Sequence, residues 1–298
     1  MTRKTPRFEL VVVAYKSRQA LVPFLGHLGT NVPVILVDNS FHEDDLGDVV
    51  DRYPNVRHID SGGNLGYSAA SNLGARESTA DCLIFMNPDT QPSANALEAL
   101  IDYLEAHPTV GCCGAAGINT AGGGAQPTVS RVTAHALGLH RRLPLAGLYY
   151  QDIGGRRIDV GWVAGSCLAI RRKTFTAVGG FDPRYFIYQS DFDLGMRIAQ
   201  RGLRQVVLGD VVIPHTDGGS SDLPSTWTWE KRGRAWTRFL RNTRRRPAAL
   251  LLSGLLLAGY GVRAVLYTAM RRHNRAHEMR TYVIAGVREW ISPEPSPF

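Results

Sequence analysis

Four short apolar runs, FELVVVA (8–14), PVILVD (33–38), VRHID (56–60) and CLIFMN (82–87), interleave with three helix-like segments. Ser17 is placed to cap a helix reaching about His27, a second helix falls near 67–76, and Ser93 is placed to cap a third ending near His107. Strand–helix alternation at this spacing predicts an α/β fold: a mostly parallel sheet with helices on its faces. Ligands of such sheets bind beyond the carboxyl ends of the strands. Asp38 and Asp89 both fall at or just after such ends.

Residues 111–158 carry AGGGAQP and HRRLP and read as loops or short edge elements that fold over a substrate. DVGWVAGSCLAI (159–170) reads as a strand, and a short helix over 173–178 stops at Gly179-Gly180. A further helix runs from about Ser190 to Arg201, and QVVLGDVVIPH (205–215) supplies the last strand. No stretch repeats at a fixed period, which excludes solenoids and propellers.

The formal charge of +8 has to be located before it means anything. Residues 231–298 hold 14 Lys and Arg against 3 acidic residues, whereas residues 1–230 hold 20 against 23. The asymmetry predicts two parts, a catalytic domain over 1–240 and a basic helical tail over 241–298. Cys82, Cys112, Cys113 and Cys167 lack C-x-x-C spacing and read as reduced, buried thiols. The start, MTRKTPRFELVVVAY, has no apolar signal core, so the N-terminus is expected to stay in the cytosol.

Three polar clusters could carry chemistry. Asn87-Pro88-Asp89 closes an apolar strand, and Asp38-Asn39-Ser40 closes another; both are also ordinary turn sequences. In GGFDPRYFIYQSDFDLGMRIAQRG (179–202), Asp191 and Asp193 lie in the first turn of a helix, where carboxylates are favoured. Ser190 with Asp193 reads as a capping box, which leaves Asp191 free to project into a cleft. His215 ends an apolar strand ahead of a polar loop, TDGGSS. SGGNLGYSAASNLG (61–74) lacks the Lys-Ser/Thr of a P-loop, but its small residues allow backbone to approach a ligand.

Taken in order, VVVAY, VILVDNS, GGNLGYSAASNLG, LIFMNPDT, GWVAGSCLAIRR, the 179–202 segment and PHTDGGSS resemble the family-2 inverting glycosyltransferases of GT-A fold. The similarity covers roughly residues 8–220 and is greatest to bacterial rhamnosyltransferases of cell-wall linker and O-antigen synthesis. It implies that Ala14, Tyr15, Asp38, Asn64, Gly66, Asn87 and Asp89 face the nucleotide-sugar. It implies that Trp162, Gly165, Ser166 and Tyr188 shape the donor-sugar and acceptor site. Asp89 and His215 would bind Mg2+ or Mn2+, and Asp191 would be the base of an in-line, inverting displacement. The donor implied is a nucleotide-sugar, dTDP-rhamnose first and UDP-sugars second; the acceptor is a glycan or a polyprenyl-diphosphate-linked sugar. This chain has Asn87 where the family's D-x-D motif begins with Asp, and Ser190 where a Glu usually precedes the base.

The segment 238–275 sets an aliphatic block between arginine clusters. Its uncharged run, Pro247 to Val262, is 16 residues, shorter than a membrane span, and Arg263 interrupts any extension. An interfacial or re-entrant helix on an anionic membrane surface is the preferred reading, with a true span or a helix packed on protein as the others. A location on the inner face of the cell membrane follows, with homo-oligomerisation left open. Nucleic acid is excluded as a partner, because the basic residues flank aliphatic rather than aromatic side chains. Two other functions compete: a nucleotidyltransferase, for which VVVAYKSRQ offers no triphosphate grip, and a non-catalytic nucleotide-sugar or glycan-binding module attached to the membrane.

Overall fold

The computed structural model describes residues 6–41, 43–118, 120–139, 147–215 and 225–295. The basic N-terminal tail, HRRLP and the polar loop after His215 lie outside the described residues. The strands are β1 (Phe8–Ala14), β2 (Val34–Asp38), β3 (Val56–Asp60), β4 (Cys82–Met86), β5 (Val110–Ala116), β6 (Gly123–Gly124), β7 (Arg157–Asp159), β8 (Trp162–Val163), β9 (Cys167–Arg171) and β10 (Arg204–Val212). The helices are α1 (Arg18–Leu28), α2 (Gly47–Val50), α3 (Gly66–Glu77), α4 (Ala94–Ala106), α5 (Val129–Ala136), α6 (Arg172–Ala177), α7 (Ser190–Gln200), α8 (Ser225–Thr243), α9 (Arg246–Ala269) and α10 (His273–Ile291).

The main sheet has the order β3-β2-β1-β4-β9-β5-β10-β7. β3, β2, β1 and β4 are parallel, β9 runs antiparallel between β4 and β5, and β10 returns parallel to β5. The expected mostly parallel α/β sheet is therefore present. One face packs its aliphatic side chains on α1 and α4. The other buries Phe85, Phe175 and Phe181 in mutual ring contact beside α6 and α7.

Two segments depart from the expectation of irregular chain over 111–158. β5 is a fully buried central strand, and α5 is a helix capped by Thr128, whose hydroxyl accepts from Arg131 N. The sequence VGCCGAA looks unlike a strand because its side chains must be small. A Cβ on Gly114 would stand 2.4 Å from Val163 Cγ1, and one on Gly111 would stand 2.6 Å from Ile198 Cγ2. Likewise 159–170 is not one strand but β8 and β9, with a bend between. The four cysteines are free and buried, as expected.

The C-terminal helices fold back onto the sheet domain. Residue 240 lies inside α8, so the chain runs as one helix through the position where the charge asymmetry suggested a boundary. α9 buries Ala249, Leu252, Leu256, Tyr260 and Ala264, spaced as one face of a helix. That face packs on α5, α8 and α10, in one cluster with Trp162, Tyr185 and Phe192 of the sheet domain. Gly259 and Gly233 set the close crossings, since a Cβ on either would overlap Ala136 or the Tyr282 carbonyl. Glu289, wholly buried on α10, accepts from Arg234, Arg238 and Arg241 of α8. Arg238 and Arg241, expected to meet an anionic surface, are instead spent on this internal network.

Candidate active site

The carboxyl ends of β1, β2 and β3 are level: Ala14 pairs with Asp38, and Asp38 with Asp60. β2 and β3 lie on one side of β1 and β4 on the other, so the chain reverses direction across the sheet at β1. Crevices form at such switch points. Ala14 and Tyr15 stand on one bank and Asn87 on the other. Ser17 does not cap α1; its hydroxyl accepts from Tyr15 N at 3.1 Å and so fixes the turn leaving β1.

Asp38 makes the turn its sequence suggests. Its Oδ1 accepts from Ser40 N and Ser40 Oγ at 2.9 and 2.6 Å, while Oδ2 lies 3.8 Å from His58 Nε2. Asn39 joins the neighbouring loop, donating to Asn64 Oδ1 at 3.1 Å and accepting from Leu65 N at 2.8 Å. Asn64 Oδ1 also accepts from Gly66 N at 3.0 Å. Gly66 has φ +74°, and a Cβ there would sit 2.4 Å from the Phe186 carbonyl oxygen. Its smallness thus serves a close crossing of backbones. Next to it, Tyr67 N donates to Phe186 O at 2.7 Å, and the Tyr67 hydroxyl donates to Gly165 O at 2.8 Å.

Asn87-Pro88-Asp89 is a turn as well as a site. Thr90 N and Oγ1 both donate to Asn87 O, at 3.3 and 2.7 Å. Beyond it, Gln91 N donates to Pro214 O at 2.9 Å, and Thr90 bridges to His215. That short pairing brings His215 Nε2 to 3.0 Å from Asp89 Oδ1. A carboxylate and an imidazole this far apart fit two adjacent corners of an octahedron with bonds of about 2.1 Å, whose edge is ~3 Å. No group of three or more His, Cys, Asp or Glu is placed to hold a metal ion among the described residues. A cation here would therefore take two protein ligands and complete its shell with phosphate and water.

Asp191 opens on a different space. Tyr188 and Gln189 both have left-handed backbone, φ 66° and 59°, and this strained pair leads into α7. The expected capping box is absent. Gln189 occupies the cap position, and Asp193 pairs with Arg197 one turn on, at 2.7 Å. Asp191 is half-buried; its Oδ1 accepts from Phe192 N at 2.9 Å and its Oδ2 from Gly165 N at 3.4 Å. Burial pushes its pKa up to about 6, against those backbone donors. It lines a cavity of about 360 Å³ with Tyr149, Tyr188, Phe192, Trp236, Tyr260 and Tyr282.

The residues implied for the sugar side divide by position. Gly165 and Ser166 join the two centres: Gly165 N reaches Asp191, while Ser166 O accepts from Asn87 N at 3.2 Å. Tyr188 lines the cavity. Trp162 does not; it is buried, donates from its indole to Leu148 O at 3.1 Å, and stacks on Phe192 at 4.1 Å. It backs the cavity wall rather than meeting a sugar. Sequence reasoning missed Tyr149, Gln189, Arg232, Tyr260 and Arg263, all of which line the same cavity. One signal was present: a lone Arg263 in an apolar helix, a placement that usually marks function.

Comparison with known proteins follows the same outline. Residues 10–179 match glycosyl transferase family 2. The N-acetylglucosaminyl-diphospho-decaprenol L-rhamnosyltransferase of Mycobacterium tuberculosis is 34% identical over 230 residues, spanning 69% of this chain and 75% of the relative. The rhamnosyltransferase WbbL of Escherichia coli K12 is 27% identical over 175 residues, spanning 53% of this chain and 63% of WbbL. In fold, the chain is similar to the mannosyltransferase PcManGT of Pyrobaculum calidifontis, solved with GDP-Man and Mn2+. The TM-score is 0.60 at 16% identity, covering 98% of this chain and 88% of that one. The expected GT-A architecture is thereby found.

Proposed function

This chain belongs to glycosyl transferase family 2 and is a glycosyltransferase, and from that premise we propose that it transfers L-rhamnose to N-acetylglucosaminyl diphosphate carried on a polyprenyl lipid. The donor in this reading is a nucleoside-diphosphate rhamnose, dTDP-rhamnose first. The printed activity of the mycobacterial relative supports the acceptor class. One observation carries the chemistry. Asp191, a carboxyl whose pKa burial raises to about 6, faces a sugar-sized aromatic cavity joined through Gly165-Ser166 to the Asp89–His215 pair.

In this mechanism the nucleoside lies in the switch-point crevice between Tyr15 and Asn87, over Asp38 and Asn64. Asp191 accepts the proton of the acceptor hydroxyl as that oxygen attacks the anomeric carbon, and a single displacement inverts the configuration. Its Oδ2 stays oriented by Gly165 N and its Oδ1 by Phe192 N. Asp89 and His215 would hold Mg2+ or Mn2+, which supplies charge neutralisation for the departing diphosphate. The aromatic walls exclude water from the base and offer stacking faces to the acceptor sugar.

We further propose that α9 touches the cytoplasmic face of the membrane. Among the described residues it is the one helix long and apolar enough to cross a bilayer, yet one side is packed on protein. Its outer side exposes Leu250, Leu251, Val262, Val265 and Leu266, with Arg245, Arg246, Arg271 and Arg272 exposed at its ends. An apolar face flanked by cations suits an anionic lipid surface. Incubation of the full chain with dTDP-rhamnose, Mn2+ and a short-chain polyprenyl-diphospho-N-acetylglucosamine should yield the rhamnosylated lipid. Transfer only from UDP-sugars would replace the donor assignment, and no transfer to this acceptor from any donor would overturn the acceptor class.

A further inference from the structure

The cavity that holds Asp191 also holds two arginines from outside the family-2 segment. Arg232 comes from α8 and Arg263 from α9. Their neighbours on α8, Arg234, Arg238 and Arg241, are tied to Glu289. Arg232 and Arg263 form no ion pair and no hydrogen bond among the described residues. Aromatic faces hold them instead: the Arg232 guanidinium carbon lies 5.1 Å from the Tyr188 ring centre and 5.4 Å from that of Trp229. That of Arg263 lies 4.8 Å from the Tyr260 ring centre. Stacking orients a planar fork of donors and leaves those donors open.

The cavity has an unmet demand for a polar ligand. Gln189 and Tyr282, both buried in its lining, leave Gln189 Oε1 and the Tyr282 hydroxyl without hydrogen-bond partners among the described residues. Among the described residues Asp191 is the only carboxylate in the lining, and only backbone donors oppose the burial that raises its pKa. Neither arginine is ion-paired with Asp191 among the described residues. One ligand satisfies both ends: a sugar whose hydroxyl reaches Asp191 and whose anionic group reaches the arginines.

We propose that Arg232 and Arg263 bind the diphosphate of the lipid-linked acceptor; this rests on the acceptor class read above. In-line displacement separates the two diphosphates of the reaction. The attacking oxygen and the leaving group lie on opposite sides of the anomeric carbon, so an anion site on the base's side belongs to the acceptor. The donor's diphosphate is left to the Asp89–His215 pair. Arg263 also sits beside the exposed apolar face of α9, where Val265 is 69% exposed, so a lipid leaving the diphosphate meets aliphatic surface at once.

The test uses the full chain, with Arg232→Gln, Arg263→Gln and Arg263→Lys. Titration with farnesyl-diphospho-N-acetylglucosamine, read by calorimetry without donor, should show binding to the wild type and about 30-fold weaker binding in each Gln variant, as expected for a lost charged hydrogen bond. Arg263→Lys should recover part of that loss. In steady state the acceptor KM should rise far more than the donor KM, and dTDP affinity should change by less than about threefold. Unchanged acceptor binding in Gln variants of wild-type thermal stability overturns the proposal. A loss of dTDP binding equal to the loss of acceptor binding also overturns it, and assigns the arginines to the donor. Should the wild type bind this acceptor through both arginines yet transfer nothing to it, the acceptor reading fails while the anion site stands.

Discussion

His215 Nε2 stands 3.0 Å from Asp89 Oδ1 across 126 positions of chain, held there by the Thr90–His215 bridge between two strand ends. Asn87 in place of a first aspartate leaves this pair as the cation site proposed above. Removing either partner leaves one ligand, so Asp89→Ala and His215→Ala should each weaken Mn2+-dependent dTDP binding by about 100-fold, and the double variant little further. Calorimetry with and without Mn2+ measures this; strictly additive losses would separate the two residues.

Asp191 sets a pH limit. As a base with a pKa near 6, it should make kcat fall about tenfold per unit as pH drops below that value. Asp191→Asn should lower kcat by about a thousandfold and spare dTDP affinity. A pH profile that stays flat down to pH 5 would remove Asp191 from the role.

The same group has a stability signature of definite sign. Its pKa is raised from 3.8 to about 6 in the folded state, so between those values the folded chain binds a proton the unfolded chain releases. Rising pH through that window therefore costs stability, by at most about 3 kcal/mol. Asp191→Asn should raise the melting temperature at pH 7.5 and have little effect near pH 3.5. Differential scanning calorimetry at the two pH values checks it.

Glu289 is 0% exposed and faces three arginines of α8. Glu289→Ala leaves Arg238 buried without its carboxylate and should cost about 3–5 kcal/mol in urea unfolding. A cost below ~1 kcal/mol would mean that the network is solvated.

The outer face of α9 offers a surgical test of membrane contact. Val265→Ser with Leu266→Ser changes two exposed side chains, so folding stability should stay within about 0.5 kcal/mol. Partition onto anionic vesicles should fall about tenfold or more, since each lost aliphatic chain is worth ~1.5 kcal/mol at an apolar surface. Equal pelleting of wild type and variant would deny α9 that role.

The parallel half of the sheet was readable because buried parallel strands are apolar runs and their ends carry turn residues. Asp38, Asp89 and Asp191 all stood out as carboxylates at such ends or at a helix start. β5 was not readable, since crowding by Val163, Cys167 and Ile198 selects glycine, alanine and cysteine, which look like loop. The cavity beside Asp191 was hidden for another reason. Four of its aromatic walls, Trp229, Trp236, Tyr260 and Tyr282, come from α8, α9 and α10, and aliphatic patterning in α9 pointed to lipid while saying nothing of the packed side. Arg263 looked like a flaw in a membrane segment; in the fold it turns toward the cavity.

The ring of Phe192 on α7 joins β8 to α8: it stacks on Trp162 and meets Trp236 edge to face. The match to family 2 spans residues 10–179 and so includes Trp162 but not Phe192 or Trp236. In the proposed mechanism the parts are interlaced along the chain: Asp89 precedes residue 179, whereas Asp191, His215 and both cavity arginines follow it. Chimeras between relatives joined near Gly179-Gly180 would therefore have to re-form the Asp89–His215 pair and the Trp162–Phe192 stack across the junction. A cut at 240 would split α8, the helix whose Trp236 and Phe239 pack on Phe192 of α7.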